Sequence, residues 1–159
     1  MNKGTDFYYT NKEMVKDLLS FTPITGSVLD AGSGRNKVWF KSIYPDSAKR
    51  YECEIEDGCD YYKWNKRVSW VVGNPPWRHD GKNQVWSWIK KASEIADEGF
   101  AFLLNHKVFN TITPVRLQEL ADKGFYIKHI RVVSDKRWFG RYYYIIWAKG
   151  ETNFVSWKT

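Results

Sequence analysis

The sequence WVVGNPPW at residues 70–77 joins a strand-like apolar run to a polar and aromatic end. The Asn74 side-chain oxygen and the Pro75 carbonyl, which the next proline holds extended, can both accept hydrogen bonds from one NH2 group. Trp77 offers a flat face to a planar ring. Two such acceptors make the nitrogen of an aromatic amine a better nucleophile, so methyl transfer to that nitrogen becomes feasible. A strand that ends in a proline-rich turn around a core tryptophan is the alternative interpretation.

An earlier segment predicts a nucleotide-type binding loop. Residues 27–34 read SVLDAGSG, an apolar strand followed by a turn in which glycines allow the backbone to approach a ligand closely. The further glycine of the dinucleotide fingerprint is missing, so this spacing alone is also typical of a tight turn. The candidate residues are Asp30, Ala31, Gly32, Ser33 and Gly34.

Two acidic residues downstream could bind other parts of a nucleoside. Glu54 follows Gly34 by twenty residues and lies near the end of a second strand-like run at residues 50–55. A carboxylate there can accept hydrogen bonds from ribose hydroxyls, and sites in open sheets gather at the carboxyl ends of strands, which favours Glu54 over Glu52. Asp60 could contact an adenine amino group. Each acid alone is also typical of a solvated surface charge.

In this order the residues resemble the S-adenosylmethionine-dependent amino-methyltransferases, especially the adenine-N6 DNA methyltransferases. The resemblance spans roughly residues 5–149 and begins with Tyr8, Tyr9 and Thr10, which look like the amino-terminal cofactor motif of that family. It implies that residues 30–34 form the glycine loop and that residues 74–77 form the catalytic tetrapeptide. Asn11 stands where the family often has proline, and we expect no separate target-recognition domain.

The resemblance also implies a reaction. S-adenosylmethionine would be the cofactor, and direct in-line transfer of its methyl group to the N6 amino group of adenine in DNA would require neither a metal nor a covalent enzyme intermediate. The implied catalytic residues are Asn74, Pro75, Pro76 and Trp77. The implied cofactor-binding residues are Tyr9, Thr10, Asp30, Ala31, Gly32, Ser33, Gly34, Glu54, Asp60 and Asn74.

A second substrate contact is predicted in the sequence SDKRWFGRYYY, between two strand-like runs near the carboxyl terminus. Lys136, Arg137 and Arg141 bracket Trp138 and Phe139. Cations can neutralise phosphates while an aromatic ring stacks on a base. The resemblance implies that one of these rings faces a flipped base opposite the ring of the tetrapeptide. A hairpin tip made soluble by its charges is the alternative.

The composition favours a polyanionic partner. The chain has 25 basic and 18 acidic residues, a net charge of +7, and 18% aromatic residues. Rings near the surface among cations are suited to nucleic acid. DNA is the expected partner and RNA the alternative. A protein-glutamine methyltransferase, or an inactive or partner-dependent subunit, are further alternatives, and a homodimer or a specificity subunit could supply sequence recognition.

The length of 159 residues and a hydrophobic content of 43% predict a single domain over residues 1–159, and the resemblance implies that it is a methyltransferase catalytic domain. No apolar run approaches the roughly 20 residues of a membrane-spanning helix, and no apolar signal segment opens the chain, so a cytoplasmic protein without a membrane partner is expected. Cys53 and Cys59 lack the spacing of a zinc site and are interpreted as free thiols.

Alternating strand-like and helical patterns predict an α/β fold. Helices are expected at residues 11–21, 37–44, 85–98 and 114–123, the third of them ended by Gly99. Strands are expected at residues 27–30, 50–55, 70–73 and 100–104, with a very short strand between the second and third of these and a terminal hairpin at 126–133 and 142–149. Together they predict a Rossmann-like methyltransferase fold with about seven strands, mostly parallel, whose terminal hairpin supplies the one antiparallel strand.

Overall fold

A computed structural model of the chain describes residues 10–44, 46, 48–79, 81–137, 140–151 and 154–159. The strands are β1 (Ser27–Ala31), β2 (Lys49–Cys53), β3 (Val68–Gly73), β4 (Arg78–His79), β5 (Lys82–Asn83), β6 (Ala96–Asn105), β7 (Phe125–Val133) and β8 (Tyr142–Lys149). The α-helices are α1 (Lys12–Ser20), α2 (Val38–Ser42), α3 (Val85–Ile95), α4 (Val108–Thr111) and α5 (Pro114–Asp122).

Six strands form one twisted sheet in the order β2-β1-β3-β6-β8-β7. Strands β2, β1, β3 and β6 pair in parallel, and β8 runs antiparallel to both of its neighbours. The predicted α/β fold with a mostly parallel sheet and a terminal hairpin is therefore confirmed. The predicted count of about seven strands is wrong for the described residues. The short strand expected between β2 and β3 is replaced by the 3-10 helix Tyr61–Lys63, because the Asp60 carboxylate accepts a hydrogen bond from the Tyr62 N–H at 3.0 Å and starts a helical turn.

The core lies on both faces of this sheet. On one face Phe100, Phe102 and Trp147 pack under α3 and α5, and on the other Trp70 and Tyr144 pack under α1 and α2. From Gly99 to Leu104, strand β6 is buried on both faces, which explains why this part of its sequence reads as a continuous apolar run rather than an alternating one. No helix in the described part of the chain is long and apolar enough to cross a bilayer.

The boundary between α3 and β6 differs from the predicted one. The sequence predicts a helix that Gly99 ends, whereas α3 stops at Ile95 and β6 begins at Ala96. Gly99 lies inside the strand, where a Cβ atom would sit 2.5 Å from the Trp70 ring and 2.6 Å from the Trp147 carbonyl oxygen. This glycine therefore serves close packing across the sheet rather than the end of a helix.

The prediction of two free thiols is also wrong. Cys53 and Cys59 form a disulfide, with Cα atoms 5.2 Å apart. Between them a 3-10 turn, Ile55–Asp57, and Gly58 at φ +84° reverse the chain. The reversal brings together two cysteines whose spacing in the sequence gives no sign of pairing.

Candidate active site

A cleft of about 870 Å3 lies at the carboxyl ends of the parallel strands, within the range of about 300–1,000 Å3 that is usual for small-molecule sites. Its position follows the general rule for open α/β sheets. The sequence-predicted residues that line it are Thr10, Gly32, Ser33, Gly34, Glu54, Asp60, Asn74, Pro75, Pro76 and Trp77. The two predicted motifs therefore share one cavity.

The glycine loop is held against the end of β2. The N–H groups of Gly32 and Ser33 both donate to the Cys53 carbonyl, at 2.8 and 3.1 Å. The Gly34 N–H donates to Glu54 Oε2 at 2.7 Å. Gly32 has φ +69°, and a Cβ atom there would lie 2.8 Å from the Trp88 ring, so the turn requires glycine at that position. The adjacency of β1 and β2 thus brings Glu54 into direct contact with the loop.

The tetrapeptide begins directly after Gly73, the last residue of β3. Gly73 has φ +151°, and a Cβ atom there would lie 2.6 Å from the Ala31 carbonyl oxygen. This close approach places Asn74 beside the end of β1. Asn74 Nδ2 donates to Thr10 Oγ1 at 3.2 Å, which directs the side-chain oxygen away from Thr10. Gly73 was not identified from the sequence, although a glycine inside a strand sequence indicates such a close approach.

The rest of the tetrapeptide forms part of the cleft wall. Pro75 is buried, Pro76 is exposed, and Trp77 is half-buried where it packs against the core cluster beneath α3. The Trp77 carbonyl accepts a hydrogen bond from the Gln84 N–H at 3.0 Å. The indole is thus held by packing on one side while the residue also lines the cleft.

Asp30 and Ala31 lie beneath the cleft and do not line it. Both are fully buried. Asp30 Oδ2 accepts a hydrogen bond from the Phe40 N–H at 2.9 Å, which ties α2 to β1, and Oδ1 has no hydrogen-bond partner among the described residues. Burial raises the pKa of Asp30 to about 8, with a further contribution from the nearby Glu52 and Glu54 carboxylates.

This buried carboxyl leads to a testable pH dependence. The folded-state pKa lies above the ordinary value of 3.8, so between about pH 4 and pH 8 the folded chain holds a proton that the unfolded chain releases. Stability should therefore fall as pH rises through this window, at up to about 1.4 kcal/mol per pH unit for one proton. Asp30→Asn, which cannot titrate, should remove that slope.

The measurement is urea unfolding of both proteins at pH 5, 6 and 7. The stability of Asp30→Asn relative to the original chain should increase by about 1 kcal/mol for each pH unit. Altered packing in Asp30→Asn changes its free energy of unfolding by the same amount at every pH. The test therefore rests on how the difference between the two proteins changes with pH. Parallel curves for the two proteins would show that Asp30 titrates normally.

Three residues missed by the sequence analysis, Asn105, Lys107 and Tyr142, line the other side of the cleft. Asn105 ends β6 and pairs with Tyr142, the first residue of β8. A polar residue at the carboxyl end of an apolar strand is the signal that also identified Glu54, and it could have identified Asn105. Tyr142 reaches the cleft only because β8 inserts beside β6.

The predicted hairpin contacts lie only partly within the described residues. Tyr9, Trp138 and Phe139 are outside them, so their predicted roles stay predictions. Lys136, Arg137 and Arg141 are exposed but do not line the cleft. The Asp135 carboxylate binds the Arg137 guanidinium through contacts of 2.9 and 2.6 Å, and these hydrogen bonds lower the pKa of Asp135 to about 2. Arg137 is thus partly neutralised within its own turn.

Within the described ranges, no group of three or more His, Cys, Asp and Glu side chains converges as a metal site would require.

No known family model matches the sequence, and no curated protein matches it. Solved structures do resemble it. Magnesium protoporphyrin IX methyltransferase from Synechocystis PCC 6803, with bound S-adenosylmethionine, superposes with a TM-score of 0.62 at 14% identity, covering 87% of this chain and 77% of that one. A protein from Pyrococcus horikoshii, provisionally assigned as an RNA methyltransferase, gives 0.62 at 18% identity, covering 89% and 87%.

TrmK from M. capricolum, in complex with S-adenosylhomocysteine, gives a TM-score of 0.57 at 10% identity and covers 90% of this chain and 71% of that one. At these identities the likeness establishes the fold. The chain has the Rossmann-like α/β fold of the class I S-adenosylmethionine-dependent methyltransferases.

Proposed function

We propose that this chain transfers a methyl group from S-adenosylmethionine to the N6 amino group of adenine in DNA. One observation carries the proposal: the NPPW tetrapeptide and residues 32–34 of the glycine loop, with Glu54 and Asp60, line the same cleft. The bound cofactors of the Synechocystis and M. capricolum structures support the choice of cofactor. Fold alone would not identify the substrate, since these proteins act on different molecules.

The β2 side of the cleft fits the cofactor. Glu54 is fixed by its bond to the Gly34 N–H. Its second carboxylate oxygen, Oε1, accepts a hydrogen bond from the Glu56 N–H at 3.4 Å and has a further lone pair for a ribose hydroxyl. Asp60 uses Oδ1 to cap the following turn, so Oδ2 would accept from the adenine amino group. Bound here, S-adenosylmethionine supplies an activated methyl group on a sulfonium.

The tetrapeptide would hold the acceptor amine. The Asn74 side-chain oxygen and the Pro75 carbonyl accept its two N–H groups and so orient its lone pair toward the methyl group. Stacking on Trp77 contributes about 1–3 kcal/mol per base. This offsets the cost of roughly a few kcal/mol for swinging an adenine out of a duplex. The new N–C bond would form as the S–C bond to the methyl group breaks, with S-adenosylhomocysteine leaving and the surplus proton of the amine passing to water. Rate enhancement then comes mainly from holding the two reacting atoms in line.

RNA adenine is the second candidate. An RNA base would use the same acceptors and ring, and the net charge of +7 suits either polymer. The provisional assignment of the Pyrococcus horikoshii protein favours including it. A chain that binds cofactor but requires a partner subunit for specificity or activity is the third candidate.

The proposal is tested by incubating the protein with methyl-labelled S-adenosylmethionine and separate pools of duplex DNA, single-stranded DNA and RNA. Calorimetry establishes cofactor binding beforehand. Label in a DNA pool is the expected result, and label in RNA alone would support the second candidate. Cofactor binding with no label in any pool would contradict the proposed activity of the isolated chain.

The disulfide gives a further prediction for the cofactor site. Cys53 and Cys59 line the cleft next to Glu54 and Asp60, so their bond limits how far the two acids can separate. Reduction should weaken S-adenosylmethionine binding by about three- to tenfold, because a loosened site loses preorganisation. Calorimetry with and without a thiol reductant measures this change in affinity.

A double variant with serine at both cysteines should bind S-adenosylmethionine weakly with or without the reductant. Equal affinity before and after reduction of the original chain would refute a role for the bond.

A further inference from the structure

Charge is unevenly distributed around the cleft. The acidic side chains that line it within the described residues, Glu54 and Asp60, both belong to the β2 side. The wall beyond β6 and β8 instead contains Asn105, Lys107 and Tyr142. One side therefore suits a cationic, donor-rich cofactor, and the part of the other side that the structure describes has no lining carboxylate to repel an anion.

Among the described residues, two lysines line the cleft, and they differ in their surroundings. Lys37 Nζ lies 2.6 Å from Glu52 Oε1 and 3.7 Å from Asp57 Oδ2, so its charge is already compensated. Lys107 is exposed, and among the described residues its ammonium takes part in no ion pair. The chain fixes the backbone of Lys107 instead, because the Lys107 N–H donates to Asn105 Oδ1 at 2.9 Å.

Strand register places Lys107 relative to the acceptor site. Gly73 pairs with Phe102, so Asn74 lies level with the next residue of β6. Asn105 lies two residues farther along, roughly 7 Å nearer the open end of the cleft. Lys107 follows two residues later, and it lines the same cleft as Trp77.

We infer that Lys107 binds a phosphate next to the target nucleotide. The inference rests on the proposed function and deepens it, since it makes Lys107 a residue that selects substrates linked by phosphodiesters. A free nucleoside or a protein amide could still occupy the tetrapeptide but would lack this contact. An ammonium acts as a point charge on phosphate without reading the base, so Lys107 contributes to the class of substrate and not to the recognition sequence.

The test measures binding of a short single-stranded DNA with one central adenine to protein saturated with S-adenosylhomocysteine. Lys107→Ala should weaken binding about tenfold and reduce the slope of log affinity against log salt by about 0.7. Lys107→Arg should largely restore both. Lys66→Ala is the matched control: the same charge is lost from an exposed lysine that precedes β3 and so lies at the opposite ends of the strands.

A second probe isolates the phosphate. The same oligonucleotide with neutral methylphosphonates on both sides of the adenine should bind the original chain and Lys107→Ala equally. Three results would each overturn the inference. Lys107→Ala and Lys66→Ala could weaken binding equally, or the loss of affinity in Lys107→Ala could persist on the neutral probe. The original chain could also fail to bind the charged oligonucleotide. Binding is measured without turnover, so failed methyl transfer would count against the proposed function and leave this comparison intact.

Discussion

Asn74→Ala is expected to lower the rate of methyl transfer by at least about 10²–10³-fold, the cost of removing one preorganised polar group from a reacting centre. The Asn74 side-chain oxygen is one of two acceptors proposed for the amine, and its amide nitrogen is anchored on Thr10. Alanine removes the acceptor and leaves the glycine loop and Glu54 in place. Cofactor affinity should therefore change far less than the rate.

Single-turnover transfer and calorimetric cofactor binding, measured on the same preparations, separate these two effects. Asn110→Ala is a matched control, because it removes the same side chain from an exposed position on α4. Near-normal transfer by Asn74→Ala would show that the tetrapeptide does not hold the acceptor. An equal loss of rate and cofactor affinity would indicate that Asn74 supports the cofactor instead.

Gly73→Ala should have the largest effect on stability. At φ +151° a Cβ atom would lie 2.6 Å from the Ala31 carbonyl oxygen, so the strained backbone and the clash act together. We expect a loss of about 2–5 kcal/mol in the free energy of unfolding. The separation of β1 and β3 should also impair the site, because Asn74 and the glycine loop follow directly from these strands.

Urea unfolding monitored by tryptophan fluorescence measures the loss. Gly58→Ala is the matched control, because Gly58 also has a positive φ, +84°, but nothing lies within 4 Å of the position of its Cβ. It should lose only about 1–2 kcal/mol from backbone strain. Equal losses for the two variants would show that the approach of β3 to Ala31 is not required.

Local sequence patterns were enough to predict which strand ends are followed by candidate site residues. Buried parallel strands read as apolar runs, and the glycine loop and the tetrapeptide follow β1 and β3 directly. Parallel strands have their carboxyl ends at the same edge of a sheet. Residues that follow β1, β2 and β3 are therefore expected to lie close together, and Gly34, Glu54 and Asn74 are such residues. In the structure all three residues line the same cleft.

Features that depend on three-dimensional packing or on the exact course of a turn were missed. The Cys53–Cys59 bond depends on a turn whose end cannot be located from spacing. Gly99 resembles a helix end in sequence and is explained by the Trp70 ring and the Trp147 carbonyl oxygen on the two neighbouring strands. Tyr142 lines the cleft because β8 inserts between β6 and β7, a non-local arrangement. The burial of Asp30 likewise depends on α2 and β3 covering it.

The most direct test of the central claim is to identify the methylated atom. Nucleic acid treated with the original chain and labelled S-adenosylmethionine is digested to nucleosides, which are separated and identified by mass. The proposed activity predicts labelled N6-methyladenine from the original chain and none from Asn74→Ala. Label on another base or a ring carbon, or the same product from Asn74→Ala, would contradict it.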